Sequence, residues 1–209
     1  AAETGIQTEQ SNIEVVRKSD IIILAVKPNV VGSVLEECKS DFGGGKILVS
    51  FAVGIPIRFY KKILGDSAKI IRTMPNTPVL VGEGMTLLSC DSCVSAEELA
   101  AVRRLFDCVG KTEILDERLM NEVTALTGSS PAYVFMFIEA MADAAVMSGI
   151  PRNLAYKLAA QSVLGSAKMV LETGRHPGEL KDQVCSPAGT TIEAVAALEK
   201  NGFRYAVIE

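Results

Sequence analysis

The chain has 209 residues, of which 48% are hydrophobic and 22% charged, and its formal net charge is −4. This composition is typical of a globular protein with a sizeable core or two small domains, and it argues against disorder. The acidic balance argues against a nucleic-acid partner, for which a basic stripe is expected. No apolar run approaches the roughly 18 residues that span a bilayer, and no signal peptide opens the chain. We therefore expect no membrane partner and a cytoplasmic location.

The first half of the chain alternates strand patterns with helix patterns. Apolar runs typical of buried strands lie at 21–26, 47–53, 69–74, 84–90 and 111–115. Helical patterns lie at 13–18, 30–38, 57–64 and 95–108. The last of these begins with Ser95 and Glu98 in the spacing of a capping box. The alternation predicts a doubly wound parallel sheet with right-handed crossovers.

From Asp116 onward the pattern is helical only, which predicts two domains, 1–116 and 117–209. A long apolar helix at 119–148 is interrupted by Pro131, which must kink or restart it. A second helix runs from Pro151 to Thr173 and stops at Gly174. Small residues recur on both helices: Ala140, Ala144, Ala145, Ala155, Ala159, Gly165 and Ala167. They fit an intrachain core or the interlocked helices of a homodimer, and we favour the dimer because closed symmetric dimers are common.

A turn of small residues leads into a polar helix start at 186–199, and its chemistry suits anion capture. Thr190 and Glu193 have the spacing of a capping box. Free backbone N–H groups at a helix N-terminus favour a carboxylate or phosphate. The hydroxyls of Ser186, Thr190 and Thr191 add donors and acceptors. A capping box alone is most often purely structural.

The whole string, V-x-S-P-x-G-T-T-x-x-A-V-x-x-L-E from Val184, resembles the signature of pyrroline-5-carboxylate reductases. The resemblance extends over nearly the whole chain, because four further motifs follow that family's order. They are A-V-K-P at 25–28, R-T-M-P-N-T-P at 72–78, G-S-S-P-A-Y at 128–133 and H-P-G-x-L-K-D at 176–182. The resemblance implies a Rossmann-like α/β domain and an all-α dimerisation domain. It further implies reduction of 1-pyrroline-5-carboxylate to L-proline with NADP or NAD as cofactor, in a homodimer or higher homo-oligomer.

The resemblance also implies roles for individual residues. Lys27 is expected beside the cofactor as a general acid or phosphate contact, although a solvated lysine at a strand end fits equally well. The other residues expected to line the dinucleotide are Asn12, Ala25, Val26, Pro28, Val53, Asn76 and Gln183. Asn76 is expected near the nicotinamide ribose, because its amide both donates and accepts.

The substrate is a cyclic imine with a carboxylate, so it needs an anion site and a partner for its ring nitrogen. We expect Ser186, Gly189 and Thr190 to bind the carboxylate and the Thr191 hydroxyl to contact the ring nitrogen. Glu117 resembles the family's acidic group near the substrate, and it is equally compatible with a structural carboxylate at the domain junction. We therefore predict Thr191, Lys27 and Glu117 as the catalytic residues. Reduction of an iminium requires mainly positioning and desolvation.

One feature departs from the family pattern. A Rossmann-like reductase is expected to carry a G-x-G-x-x-G/A turn after its first strand, and this sequence has none. We interpret the chain as a fragment that starts, at residues 1–5, in the middle of the cofactor domain and stops inside a helix at 203–209. Two alternatives stay open: a non-catalytic dimerisation fragment, and a β-hydroxyacid dehydrogenase. The second is disfavoured because its catalytic lysine has no counterpart near Tyr133.

Cysteine and histidine give no metal site. Five cysteines without dense spacing fit a reducing compartment. Cys90 and Cys93 form a C-x-x-C, but a structural zinc site normally needs a second pair of ligands, so we expect a structural role for both. His176 stands in a His-Pro-Gly turn, where a capping role is favoured over general acid catalysis.

Overall fold

The computed structural model describes residues 5–43 and 45–209. The predicted chain start at residues 1–5, apart from Gly5, and the Gly44 part of the predicted glycine break lie outside the described residues. The molecule consists of two compact units, Ala1–Val134 and Phe135–Glu209, here called the sheet unit and the helical unit. The predicted domain boundary at 116/117 stays a prediction.

The sheet unit is built on five strands in the order β1-β2-β3-β4-β5. The strands are β1 (Ile21–Leu24), β2 (Ile47–Ser50), β3 (Lys69–Met74), β4 (Gly84–Cys90) and β5 (Gly110–Ile114). The helices are α1 (Asn12–Lys18), α2 (Val31–Cys38), α3 (Ile57–Leu64) and α4 (Ala96–Asp107). All neighbouring strands are parallel except β3 and β4, which are antiparallel. The connection between those two holds only the short 3₁₀ helix Thr77–Val81, and antiparallel strands need no long crossover.

The core of this unit lies on both faces of the sheet. Leu48 and Ile70 pack with Val31, Leu35 and Tyr60 from α2 and α3. The alternate strand residues Val49 and Ile71 pack on the other face with Val102 and Phe106 from α4. This alternation follows from the two-residue repeat of a strand. Helices on both faces of a mostly parallel sheet confirm the predicted Rossmann-like α/β class.

A π-helix, Thr124–Ser129, runs directly into α5 (Ser130–Met147). The interruption predicted around Pro131 corresponds to this change from a π-helix to an α-helix, and Pro131 tolerates its missing amide hydrogen in the first turn of α5. Together, Thr124–Met147 form one helix that by length and composition could span a membrane, with a mean hydropathy of 1.2 over an 18-residue window. The expectation that no apolar run approaches that length was therefore wrong. Glu139 and Asp143 interrupt the apolar residues of this helix, so the sequence shows no unbroken apolar run of that length.

The helical unit contains most of α5, then α6 (Arg152–Thr173), α7 (Pro177–Val184), α8 (Thr190–Lys200) and α9 (Phe203–Ile208). Pro151 is the N-cap of α6, so the helix begins one residue after its predicted start, and Gly174 ends α6 in a left-handed conformation as predicted. Ala155 and Ala159 are buried within the chain, whereas Ala140 and Ala144 are exposed. The small residues thus serve an intrachain contact at some positions and remain uncovered at others.

Candidate active site

The carboxyl ends of β1 and β2 open onto a cavity that gathers most of the predicted cofactor residues. It is lined by Ala25, Val26, Lys27, Pro28, Phe51, Ala52 and Val53. A neighbouring cavity over β1 includes Asn12, again with Ala25 and Val26. In an open α/β sheet, ligands bind outside the carboxyl ends of the strands. Five of the eight predicted positions therefore lie where the fold favours a ligand, and Asn12 lines the neighbouring cavity.

The chemistry of these walls fits a dinucleotide. Lys27 is exposed and has no salt-bridge partner within 4.0 Å among residues 5–43 and 45–209, so its ammonium is available to an anion. Val53 is 57% exposed and presents an apolar surface on the opposite loop. A phosphate can contact the ammonium, while a flat ring can pack on the valine. Lys27 and Val53 would hold such a group.

Asn76 and Gln183 differ from the other six. The Asn76 side chain accepts a hydrogen bond from the Met85 N–H at 2.9 Å and donates one to the Thr127 carbonyl at 3.0 Å. It therefore ties β4 and the π-helix to the end of β3, and it does not line either cavity. Gln183 belongs to the helical unit, where its amide lies against the Arg175 guanidinium. Cofactor contact by Asn76 or Gln183 stays a prediction.

Glu117 has partners that the sequence did not indicate. Its Oε1 accepts a hydrogen bond from the Arg72 guanidinium at 2.8 Å and from the Ile57 N–H at 2.6 Å. The Arg72 side chain is only 7% exposed. An arginine inside the apolar run of β3 was the one available sign of this pair, because a buried charge needs a partner. The arrangement supports the structural alternative for Glu117.

A second polar group lies next to this pair. The Tyr60 and Ser50 hydroxyls are 2.7 Å apart and share a hydrogen bond. Ser50 Oγ also accepts the Ala52 N–H at 3.2 Å, and the Ser50 carbonyl accepts a hydrogen bond from Thr73 Oγ1 at 3.2 Å. Burial raises the pKa of Tyr60, and its hydrogen bond with Ser50 opposes that shift only partly. Tyr60 therefore stays protonated as part of the core. The sequence indicated none of these hydrogen bonds, although Thr73 lies in the motif at 72–78.

The turn before α8 differs from its prediction. Gly189, not Thr190, is the N-cap, and no side chain caps the helix. The capping box predicted from Thr190 and Glu193 was therefore wrong. Gly189 occupies the cap because it packs against Ser186: a Cβ there would lie 2.3 Å from Ser186 Oγ.

Because no side chain caps α8, more polar groups of this turn are free to bind a ligand. The Thr190 and Thr191 hydroxyls are not used for capping, and the first-turn amides of α8 have no side-chain acceptor among the described residues. Thr190 and Ser186 are exposed, and Thr191 is half-buried. Ala188 adopts a left-handed conformation with φ 56°, and such backbone strain costs about 1–3 kcal/mol. Uncommitted amides and hydroxyls at a helix N-terminus suit a carboxylate.

The remaining sequence candidates have structural roles. His176 Nδ1 accepts the Gly178 N–H at 3.0 Å, which confirms the capping role. Lys61 donates to Cys93 Sγ at 3.2 Å and pairs with Asp91, and that carboxylate raises the pKa of Lys61. Within the described part of the chain, no three His, Cys, Asp or Glu side chains are grouped to hold a metal. At the surface, Arg118 lowers the pKa of Asp116 to about 2.

Two family models match the sequence. Residues 117–209 match "Pyrroline-5-carboxylate reductase dimerisation", and residues 1–54 match "NADP oxidoreductase coenzyme F420-dependent". The pyrroline-5-carboxylate reductase of Escherichia coli (strain K12) is 54% identical over 205 residues, which are 98% of this chain and 76% of that protein.

Solved structures agree with these matches. Plasmodium falciparum pyrroline carboxylate reductase, crystallised with NADP bound, superposes with a TM-score of 0.87 at 38% identity, over 96% of this chain and 76% of that one. The Coxiella burnetii pyrroline-5-carboxylate reductase gives a TM-score of 0.92 at 35% identity, over 99% of this chain and 77% of that one. These likenesses decide against the β-hydroxyacid dehydrogenase alternative. With this identity maintained along almost its entire length, the chain belongs to the pyrroline-5-carboxylate reductase family.

Proposed function

We propose that this protein reduces 1-pyrroline-5-carboxylate to L-proline, the last step of proline biosynthesis, with NADPH or NADH as the reductant. The observation that carries the proposal is 54% identity to an E. coli enzyme of that name over 98% of the chain. The reaction consumes the imine, one hydride and one proton, and it releases proline and the oxidised cofactor. The reduced nicotinamide supplies the hydride.

The cavity at the ends of β1 and β2 supports cofactor binding in the sheet unit. Lys27 contacts a phosphate of the dinucleotide, and Val53 packs against one of its rings. Asn12, Ala25, Val26 and Pro28 form the remaining walls. The roles of Asn76 and Gln183 rest on the family resemblance.

The uncapped start of α8 supports substrate binding in the helical unit. Its first-turn amides, with Gly189, Ser186 and Thr190, bind the substrate carboxylate. The Thr191 hydroxyl hydrogen-bonds the ring nitrogen and orients the imine. Protonation of that nitrogen makes the adjacent carbon electrophilic, so these residues contribute mainly orientation and exclusion of water.

Exposed apolar helices support assembly of two copies, as a homodimer or within a higher homo-oligomer. The dimerisation family model covers residues 117–209 and thus all of α5. In the window of this helix that is apolar enough for a membrane, only 11% of the residues are buried within the chain. A second copy of the chain, rather than lipid, covers this surface, consistent with a cytoplasmic enzyme.

Steady-state kinetics of Thr191→Ala test the substrate assignment. An unpaired polar group in a desolvated pocket costs about 1–3 kcal/mol, so we expect kcat/KM for pyrroline-5-carboxylate to fall about 10- to 100-fold. Thr173→Ala is the matched control, because that hydroxyl donates to the Met169 carbonyl and accepts the Arg175 backbone N–H, both at the end of its own helix. Wild-type efficiency in Thr191→Ala would overturn the role of Thr191, and an inactive wild-type protein that binds no NADPH would overturn the proposed function.

A further inference from the structure

The loop between β2 and α3, residues 51–56 and here called the β2–α3 loop, is fixed at one end by a carboxylate distant in sequence. Ile57 is the first residue of α3, and its N-cap Pro56 has no side-chain acceptor to offer. Glu117 Oε1 accepts the Ile57 N–H at 2.6 Å instead. This hydrogen bond fixes the end of the β2–α3 loop at the start of α3, since the free first-turn amides of a helix need an external acceptor.

Arg72 holds that carboxylate in place. Its Nη1 lies 2.8 Å from the same Glu117 Oε1, and its side chain is almost fully buried. A buried guanidinium without its carboxylate is strongly unfavourable. Glu117 therefore has one dominant position, in which it contacts the start of α3.

The other end of the β2–α3 loop is fixed by hydroxyls. Ser50, which is the last residue of β2, bonds the Tyr60 hydroxyl and accepts the Ala52 N–H. Ser50 and Thr73 are both buried, and Thr73 donates to the Ser50 carbonyl. Inside the loop, Gly54 has φ 80°, a left-handed conformation that no regular hydrogen-bond ladder maintains. The loop therefore depends on its two ends for its shape.

This loop forms one wall of the cavity assigned to the cofactor. Ala52 and Val53 line that cavity opposite Lys27, and Ala52, Val53 and Gly54 also line a smaller cavity against Arg72. We propose that the Arg72–Glu117 pair fixes the β2–α3 loop so that Val53 faces the dinucleotide, which makes both residues positioning residues for cofactor binding. This inference rests on the proposed function, and it replaces the catalytic role that the sequence suggested for Glu117.

Glu117→Gln is the informative variant. It keeps an oxygen that can accept the Ile57 N–H, but it removes the charge that holds Arg72. Asp116→Asn is the matched control, because it makes the same charge change at the adjacent residue. Its carboxylate pairs with the exposed Arg118 and accepts the Arg118 backbone N–H as an N-cap, and asparagine keeps that cap. We expect Glu117→Gln to raise the KM for NADPH about tenfold while kcat and the KM for pyrroline-5-carboxylate change less than about twofold. Asp116→Asn should leave all three constants unchanged.

Two measurements do not depend on catalysis. NADPH fluorescence titration should show the same tenfold weaker Kd, and amide hydrogen exchange should accelerate at residues 52–57 in Glu117→Gln but not in Asp116→Asn. A wild-type protein that binds NADPH without reducing the imine would contradict the proposed reaction. The NADPH titration and the hydrogen exchange would still test the positioning role in that case. An unchanged Kd with unchanged exchange would overturn the positioning role, as would a parallel loss in both KM values.

Coupling between the two residues is a further requirement. If Arg72 and Glu117 act as a unit, Arg72→Met combined with Glu117→Gln should weaken NADPH binding no more than the worse single variant. Fully additive losses would contradict the proposal. Should Glu117→Gln fail to fold, Arg72→Lys keeps the buried charge and carries the same comparison, because an ammonium lacks the fork geometry of the guanidinium.

Discussion

The sheet unit and the helical unit bury their apolar side chains in different ways. In the sheet unit, large residues such as Leu48, Val49 and Ile70 are 1% exposed or less. In the helical unit, the buried hydrophobic residues that the structure describes are three alanines, Ala142, Ala155 and Ala159, whereas Met147 is 90% exposed. The first unit thus holds a core of large buried side chains, and the second presents an apolar surface that needs a cover.

The largest expected effect comes from disrupting the proposed dimer contact that covers α5. Ala144→Arg places a charge on the exposed side of α5, where the proposed dimer would bury it without a partner. Such burial costs about 3–5 kcal/mol, so the mass measured by light scattering should fall to that of one chain. Ser92→Arg adds the same charge on an exposed turn of the sheet unit and should leave the mass unchanged. A wild-type monomer at micromolar concentration would contradict the proposed dimer.

The next effect belongs to the core of the sheet unit. Leu48→Ala should lower the free energy of unfolding by about 3 kcal/mol, because a filled site loses its contacts and leaves a cavity. Chemical denaturation measures this loss, and light scattering should show an unchanged mass. Leu80→Ala, at a position that is 87% exposed, is the control and should have little effect. A lower mass in Leu48→Ala would mean that assembly of the helical unit depends on the core of the sheet unit.

Helix caps sharpen the comparison further. Ser95 forms a capping box with Glu98 at the start of α4, so Ser95→Ala should cost about 1 kcal/mol. Thr190→Ala should leave the melting temperature unchanged, since Gly189 is the N-cap of α8. Thermal melts distinguish the two variants. An equal loss in both would restore the capping role that the sequence predicted for Thr190.

The smallest expected effect is a gain. The positive-φ positions of the sheet unit, such as Gly54 and Gly65, are glycines, whereas Ala188 in the helical unit is the one described non-glycine residue with positive φ. Ala188→Gly should raise the free energy of unfolding by about 0.5–1 kcal/mol. Glycine removes a backbone strain of about 1–2 kcal/mol, and its larger loss of conformational entropy on folding offsets part of that gain. Chemical denaturation provides the measurement. A loss of stability would mean that the alanine methyl group makes a favourable contact that outweighs its strain.

Local patterns predicted most of the fold. The bounds of α3, β3 and β4 agree with the prediction, because proline and glycine punctuate the sequence around them. The runs at 21–26 and 47–53 were predicted too long, since apolar Val26 and Val53 continue past the strands into the cavity wall. The sequence pattern therefore assigned Val26 and Val53 to strands, whereas both residues line a cavity beyond the strand ends.

Long-range partners explain what could not be predicted. The same four-residue pattern gave a correct cap at Ser95 and a wrong one at Thr190, because Ser186 and Gly189 close the turn one residue earlier. Glu117 contacts the Ile57 amide across 60 residues of sequence, and no local periodicity contains that information. The motif residues located the candidate site, whereas the side chains that fix its shape required three-dimensional contacts.

The exposed face of α5 also affects how the stability of this protein is measured. If folding of the helical unit is completed only when two chains meet, its melting temperature depends on the total protein concentration. By mass action, each tenfold dilution then removes about 1.4 kcal/mol of stabilisation per mole of dimer. The core of the sheet unit is formed within one chain, so this unit has no such dependence. Dilution alone should therefore separate the unfolding transitions of the two halves.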